Sequence, residues 1–230
     1  MKLIDFENQL KAYLADIENP RPFVCSGSPL DSELFIVGFN AATEMKAQFW
    51  DFWSQDSGFD RKVWFDAYVK ERADKPLNEG KTRRLRVSRT RRCIDLITDG
   101  LSPIKALETN LYMSATTQAN ELGKELMDPS TFNFLLSTIK PKFLLVHGKD
   151  AKEHLESLAL TKLEQNHANK VIIQGIDITV FPVSHLSRGW SNENCKALGV
   201  EVKRLIGVSR GITKHLRVIR NAWQFRFAQV

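Results

Sequence analysis

The chain of 230 residues has few cysteines, no long apolar run and none of the short motifs that mark several common enzyme classes. Its three cysteines, Cys25, Cys93 and Cys195, are odd in number and far apart, and no CxxC pair occurs. This spacing indicates neither a zinc site nor a disulfide framework. We therefore predict three buried, reduced thiols.

Long hydrophobic stretches are also missing. No uninterrupted apolar run approaches the ~20 residues that are needed to cross a bilayer. The N-terminal segment carries Asp5 and Glu7 where a signal peptide would have an apolar stretch. These features predict a soluble, intracellular protein without a membrane partner, located in the cytoplasm, or with the nucleoid in a bacterium.

Motifs that bind cofactors or build hydrolase sites are absent as well. The chain has no G-x-G-x-x-G or G-x-x-x-x-G-K-[ST] pattern, so it lacks those two phosphate cradles of nucleotide-binding proteins. It has no G-x-S-x-G elbow of a serine hydrolase, and no H-E-x-x-H or carboxylate cluster that favours a metal. We expect neither a metal nor an organic cofactor.

Charge, by contrast, is plentiful and unevenly distributed. The formal net charge is +6. Residues 1–80 contain 9 Lys and Arg against 14 Asp and Glu, whereas residues 81–230 contain 24 against 13. A basic half of this kind favours a polyanionic partner on one side of the molecule.

Apolar spacing divides the chain into alternating helices and strands. The predicted helices cover residues 3–17, 42–53, 61–71, 83–98, 129–139, 150–160, 192–206 and 212–223. The predicted strands cover residues 34–39, 106–113, 142–147 and 178–183, the last paired in a hairpin with 171–174. Strands joined by helical crossovers form mainly parallel sheets. We predict a single α/β domain over residues 1–230, a three-layer sandwich with a central, mainly parallel four-stranded sheet and a basic helical extension at about residues 207–230.

Four polar residues stand at or just beyond the ends of the predicted parallel strands. They are Asn40, Asn110, His147 and His185. Because the carboxyl ends of parallel strands lie along one edge of a sheet, we expect these side chains to lie close together, where open α/β sheets bind ligands. Of these four residues, His147 is the one for which a structural role is favoured over a functional one.

Three segments around these residues resemble the motifs of the uracil-DNA glycosylase superfamily, in the same order and spacing. GFNAAT at residues 38–43 resembles its first motif, ETNLYMS at 108–114 its base-reading strand, and HLSRGWS at 185–191 its closing His-Pro-Ser motif. The resemblance runs from about residue 33 to 206. Asn in place of Asp at position 40 matches the mismatch-specific and single-strand-selective branches. Ala41 and Leu186 stand where the family has proline.

The resemblance implies a uracil-DNA glycosylase-like fold and a hydrolase that removes a damaged or deaminated base, above all uracil, from DNA. Asn40 would position the water and His185 would stabilise the departing base, as the two catalytic residues. Gly38, Phe39 and Asn110 would bind the flipped base, because an amide offers both a donor and an acceptor.

Contacts to DNA are expected from two basic segments. Residues 81–92 read KTRRLRVSRTRR, from which Arg89 and Arg91 are predicted to hold phosphates. In the loop after His185, Ser187 and Arg188 are predicted to face a groove and Leu186 to wedge into the space left by the flipped base. We expect the protein to act on DNA as a monomer.

The same residues also fit plainer structural roles. Asn40 is a suitable helix cap, Asn110 a turn residue, His185 a hydrogen-bonded structural histidine, and the aromatic residues at 49–53 a piece of core. Two competing functions remain open as well: a nucleic-acid-binding relative that has lost catalysis, which the missing prolines favour, and a hydrolase or transferase of free nucleosides, which would have no use for the basic segment.

Overall fold

The chain forms alternating helices and strands around one large sheet. The computed structural model describes residues 1–41, 45–77, 79–80, 82–114, 123 and 126–210, with only the backbone for 208–210. The α-helices are α1 (Leu3–Leu14), α2 (Arg61–Asp74), α3 (Arg89–Leu101), α4 (Ser130–Ile139), α5 (Lys149–Ala159) and α6 (Asn192–Arg210). The strands are β1 (Leu34–Asn40), β2 (Trp53–Ser54), β3 (Gly58–Phe59), β4 (Ala106–Tyr112), β5 (Phe143–His147), β6 (Asn169–Ile173) and β7 (Ile176–Val183).

The central sheet has the order β4-β1-β5-β7-β6. Strands β4, β1, β5 and β7 are parallel, while β6 pairs with β7 in the antiparallel sense. The α/β class and the mainly parallel sheet are confirmed, but the expectation of four strands is wrong, because β6 adds a fifth. Gln174 and Gly175 join β6 to β7 and both have positive φ, the backbone that a tight two-residue hairpin requires.

Side-chain alternation along the strands divides the core between the two faces of the sheet. On β1, Phe35 and Val37 belong to one buried cluster, and Leu34 and Ile36 belong to another. We call the first the aromatic face, which α1, α4 and α5 cover, and the second the α3/α6 face, which those two helices cover. Helices on both sides of a sheet give three layers.

Helices α3 and α6 approach each other closely because glycines lie at their contact. A Cβ on Gly100 would lie 2.5 Å from the Lys196 carbonyl oxygen, and one on Gly199 would lie 2.2 Å from the Ile97 carbonyl oxygen. The same contact joins Cys93 to Cys195 in a disulfide. The prediction of three reduced thiols is therefore wrong for this pair, because residues 102 positions apart in sequence meet through helix packing.

Cys25 is the one predicted thiol that the structure retains. It is buried and free, and burial raises the pKa of its thiol above the ordinary value. A buried thiol of raised pKa is a poor nucleophile.

Residues 45–53 do not form the helix expected over 42–53, of which residues 42–44 lie outside the described ranges. A 3-10 helix covers Phe49–Phe52, and β2 then pairs with β3. The ring of Phe49 packs against those of Phe23 and Phe59, at 4.9 and 5.3 Å between centroids. Aromatic packing onto these neighbours outweighs the helical spacing in this segment.

The basic segment forms a shorter helix than the one predicted over 83–98. Helix α3 begins at Arg89, and the Ser88 hydroxyl caps it by accepting the Arg91 backbone N–H at 3.1 Å. Before the cap, the Arg84 guanidinium donates to the carbonyl oxygens of Arg72 and Pro76. These bonds hold the segment as a loop against the end of α2.

The other predicted elements within the described residues occur with ends shifted by a few residues. The predicted helix over 212–223 and most of the basic extension over 207–230 lie outside the described residues. Helix α6 is longer than predicted and continues to Arg210. Among the described helices, none combines the length and the apolar character that a bilayer span requires.

Candidate active site

Three neighbouring strands place a row of residues at one level of the α3/α6 face. Gly38 of β1 is in register with Asn110 of β4, and Val37 with Val146 of β5, so that His147 follows beside Gly38. A Cβ on Gly38 would lie 2.6 Å from Oδ1 of Asn110 and 3.0 Å from Nε2 of His147. Glycine at this position lets the amide and the imidazole flank the same point above the sheet.

His147 is a buried histidine at the end of β5, 6% exposed. Burial lowers the pKa of its imidazole to about 3, with further contributions from the neighbouring His185 and Arg91. The ring is therefore neutral at physiological pH. Its Nδ1 is buried and has no hydrogen-bond partner among the described residues.

His185 stands at the mouth of the site, two residues beyond β7. Its ring lies edge-on to that of His147, with 5.2 Å between the centroids. The Ser187 backbone N–H donates to Nδ1 of His185 at 3.2 Å, and the Ser187 hydroxyl lies 2.7 Å from the same nitrogen. Because a backbone N–H only donates, Nδ1 is the acceptor, and the neutral ring carries its hydrogen on Nε2.

The neutral form of His185 is favoured by its surroundings. Partial burial and the nearby charge of Arg188 lower the pKa of its imidazole, and Asp150 acts in the opposite direction. A Cβ on Gly148, whose φ is +97°, would approach Cδ2 of His185 to 3.2 Å. The turn at the start of α5 thus leaves space for the histidine ring.

Asn40 and Phe39 complete the end of β1. Asn40 projects from the same face as Gly38, two residues further along the strand, and is partly buried. Phe39 alternates to the other side, where its ring packs edge-on against that of Tyr112 at 5.0 Å. Both residues line the same cavity as Asn110, His147 and His185.

This cavity has a volume of about 820 Å³ and opens at the carboxyl edge of the parallel strands. Its walls combine the polar row with a group of aromatic side chains. The aromatic residues are Phe23, Phe49, Phe52, Phe59, Trp64 and Tyr68. Of the aromatic residues at 49–53, Phe49 and Phe52 are thus both buried core and part of the wall. A cavity with aromatic walls and a few polar groups is typical of small-molecule and base-binding sites.

Arg91 belongs to a buried ionic cluster. Its guanidinium bonds the Glu108 carboxylate, and its Nε lies 3.3 Å from an oxygen of Asp95. Arg61 donates to the same two carboxylates, at 2.7 Å to Asp95 and 3.4 Å to Glu108. The prediction that Arg91 binds DNA phosphates is wrong, because the side chain is 7% exposed and is held inside the molecule by this cluster.

Four charged residues of the cavity wall were not predicted as site residues: Arg21, Glu108, Lys149 and Asp150. Arg21 and Glu108 both line the cavity, and burial, followed by the charge of Arg91, lowers the pKa of the Arg21 guanidinium. Glu108 had a signal in the sequence, since it is a carboxylate between apolar residues of a predicted strand and directly precedes Thr109 and Asn110. Arg21, in a turn-rich segment after Pro20, had none.

Leu186 is 1% exposed and packs in the core of the α3/α6 face. The prediction that it wedges into DNA is wrong, because the chain turns after His185, where the Arg188 N–H donates to the His185 carbonyl oxygen at 3.2 Å. That turn directs Leu186 inward and leaves Arg188 exposed, with Ser187 partly exposed between them.

Exposed basic side chains occur at the cavity mouth and on the neighbouring first turn of α3. Arg89, in the first turn of α3, and Arg188 are both exposed, and Arg188 lines the cavity mouth. Arg92 is exposed as well and donates to the Asn192 side-chain oxygen at 2.8 Å. Ser88, Thr90 and Ser187 line the cavity beside them. The rim can therefore contact an anionic ligand through cations and hydroxyl groups.

Comparison with known proteins adds no family assignment. No protein-family model and no curated protein matches this chain. Functional inference therefore depends on the geometry and chemistry of the cavity.

Proposed function

We propose that this chain is a DNA glycosylase with a uracil-DNA glycosylase-like fold, which hydrolyses the bond between a damaged or deaminated base and its sugar. The observation that carries the proposal is that Asn40, Asn110 and His185, from three separate parts of the sequence, line one cavity with aromatic walls. Such a cavity suits a base that has been turned out of the DNA stack.

The chemistry requires two kinds of help from the protein. As the C1′–N bond breaks, the base leaves with the bonding electrons and the sugar becomes cationic, so the base oxygen gains negative charge. His185 presents Nε2–H at the cavity, because Nδ1 is occupied by Ser187. A fixed donor that meets the developing charge is the arrangement by which enzymes stabilise oxyanions.

Asn40 holds the attacking water on the sugar side. The water oxygen bonds to C1′ and gives up a proton, while the departing base takes one up. An amide is a sufficient group for this step, because the electrophile is already cationic and water needs positioning more than deprotonation. Asn110 reads the base edge through its amide donor and acceptor.

DNA is the proposed partner, bound through the rim. Arg188 and Ser187 line the cavity, and the exposed Arg89 lies between the lining residues Ser88 and Thr90, so these three side chains are proposed to contact phosphates beside an extruded nucleotide. Such contacts position DNA without reading its sequence. The catalytic cycle as proposed uses no cofactor and one protein copy.

The test is base excision from labelled oligonucleotides that contain uracil, hypoxanthine or xanthine, followed by alkali and detection of strand scission. We expect cleavage by the wild type, and a loss of about 10²–10³-fold in rate for His185→Ala, the cost of one donor to a developing oxyanion. Asn40→Ala is expected to slow the reaction as well. His167→Gln, an exposed histidine outside the cavity, is the matched control. Wild-type rates in both site variants would contradict the proposal.

A second candidate, a DNA-binding relative without catalysis, is favoured by one observation. Leu186 is buried, so the loop after His185 presents no apolar wedge from this position. The same assay separates the two, because a non-catalytic relative retains binding to the damaged oligonucleotide and leaves it intact.

A further inference from the structure

The buried His147 has one ring nitrogen that no described residue hydrogen-bonds. Its Nδ1 is buried and has no hydrogen-bond partner among the described residues, although the whole side chain is only 6% exposed. An unsatisfied buried polar atom is destabilising, because it gives up its hydrogen bonds to water without replacing them. A hydrophobic side chain in this position would avoid that cost, so a function for the imidazole is expected.

The space around the ring points to a ligand in the cavity. His147 is in the wall of the cavity, and its Nε2 and Cε1 edge lies over Gly38, opposite the Asn110 amide. On its other side is the ring of His185. Hydrogen-bonding groups from β4, β5 and the loop after β7 therefore border one small region.

The protonation state limits what His147 can do there. The charged groups that act on it are Arg91 from α3 and His185 from the loop after β7, and with burial they lower its imidazole pKa to about 3. A ring that stays neutral has one N–H donor and one bare acceptor. It suits hydrogen bonding to a neutral base edge, and does not suit general acid catalysis at physiological pH.

We infer that His147 is a specificity-determining residue that hydrogen-bonds the excised base, together with the Asn110 amide. This inference rests on the proposed glycosylase function. The substrate class is a deaminated base, whose new carbonyl oxygen and adjacent ring N–H match a site that offers an amide, a neutral imidazole and an N–H of His185. A site that is built to bond such groups discriminates strongly against bases that lack them.

The experiment compares four proteins: wild type, His147→Phe, His147→Gln and His147→Asn. Phenylalanine keeps a ring in the pocket and removes both nitrogens, whereas glutamine and asparagine place an amide near Nε2 and Nδ1, respectively. Single-turnover rates and KM are measured on oligonucleotides with uracil, hypoxanthine and xanthine. His167→Gln again serves as the control.

We expect His147→Phe to lose about tenfold or more in kcat/KM on the preferred base, the effect of one buried hydrogen bond. The ratio of kcat/KM between the three bases should change, and one of the two amide variants should restore part of the loss. Affinity for an oligonucleotide with an abasic site should stay at the wild-type value in all variants, because the base that His147 contacts is absent from it.

A second measurement uses only the wild type, in case a variant fails to fold. Free uracil, hypoxanthine and xanthine are titrated into protein with ¹⁵N-labelled histidine, and the ring nitrogens of His147 are followed. Formation of the hydrogen bond is expected to shift a His147 ring nitrogen and to leave those of His167 unchanged. An unmoved His147 signal at saturation with the preferred base would overturn the inference.

The outcomes distinguish a failure of the inference about His147 from a failure of the proposed glycosylase function. A wild type that cleaves none of the three bases overturns both. A wild type that cleaves, with His147→Phe unchanged in kcat/KM and in base preference, overturns only the inference. Equal losses in all three variants, accompanied by weaker abasic binding, assign His147 a structural role and also overturn it.

Discussion

The two faces of the central sheet differ in how their strands end. On the aromatic face, large apolar side chains fill the space from Phe35 of β1 to the buried Phe132 of α4. On the α3/α6 face, β1 carries Gly38 near its end, with polar residues on the strands to either side. The same strands thus provide a tightly packed core on one side and the polar row of the cavity on the other. Strand alternation places that polar row on the α3/α6 face, whereas the aromatic wall of the cavity is part of the cluster on the aromatic face.

The largest expected effect is on the aromatic face. Phe132 is fully buried, and Phe132→Ala should lower the free energy of unfolding by about 3–5 kcal/mol, because it removes apolar contacts and leaves a cavity. Chemical denaturation measures this loss. The base-excision rate of the remaining folded protein should equal the wild-type rate. A matching fall in that rate would show that the two faces are not independent.

The α3/α6 face is held together by a disulfide in addition to its apolar packing. Replacing Cys93 and Cys195 together by alanine should cost about 2–4 kcal/mol of unfolding free energy, since the bridge closes a long loop of chain. As a check on the bond itself, the denatured, unreduced wild type should react with one equivalent of thiol reagent, from Cys25. Three reactive thiols would contradict the disulfide and the comparison built on it.

The buried imidazole of His147 should make the stability of the α3/α6 face dependent on pH. Its folded-state pKa of about 3 lies below the ordinary value of 6.5. Between pH 6.5 and about pH 3, the unfolded chain therefore binds a proton that the folded chain excludes. The stability that comes from keeping His147 neutral is fully present above pH 6.5 and is lost as the pH falls through this range. From His147 alone, unfolding free energy should drop by about 1.4 kcal/mol per pH unit in this window.

His147→Gln removes the titrating group and should flatten that part of the curve. The same substitution at the exposed His167 should leave the curve as in the wild type. Denaturation midpoints between pH 7 and pH 4 test both expectations. An identical slope in wild type and His147→Gln would mean that His147 is not held neutral by burial.

The smallest effects belong to the rim, where two arginines of α3 can be compared. Arg89 is exposed, whereas Arg91 is buried in its ionic cluster. Under the proposed function, Arg89→Ala should weaken DNA binding several-fold and reduce the slope of log affinity against log salt concentration by about 1. The free energy of unfolding of the Arg89→Ala variant should equal that of the wild type. Arg91→Met, by contrast, should lower the free energy of unfolding, because it leaves the buried Glu108 carboxylate with one cation fewer.

Several features of the fold could be predicted from local patterns. The strand over Leu34–Asn40 follows from a short apolar run, and the amphipathic spacing after Met1 indicates α1. The hairpin that ends in β7 is indicated by Gly175 between two apolar runs. Segments rich in aromatic or basic residues were less predictable. Residues Phe49–Phe52 form a 3-10 helix, because the ring of Phe49 packs against Phe23 and Phe59, which lie outside the segment.

The candidate site shows the same division. Polar residues at strand ends can be read from the sequence, because the end of an apolar run and the residue that follows it are local facts. Whether an arginine or a leucine near them faces solvent is not local: Arg91 and Leu186 point inward because Glu108 and the α3/α6 core receive them. The role predicted for each depended on exposure, and both predictions therefore failed.

The sequence alone determined the α/β class, the positions of the main strands along the chain and the positions where polar groups interrupt apolar runs, since all three depend on the spacing of neighbouring residues. Only the tertiary structure decided which cysteines are joined, that Arg91 is buried, and that Nδ1 of His147 has no hydrogen-bond partner among the described residues. These depend on contacts between residues up to about a hundred positions apart, and such contacts form only when packed helices and paired strands bring the chain together.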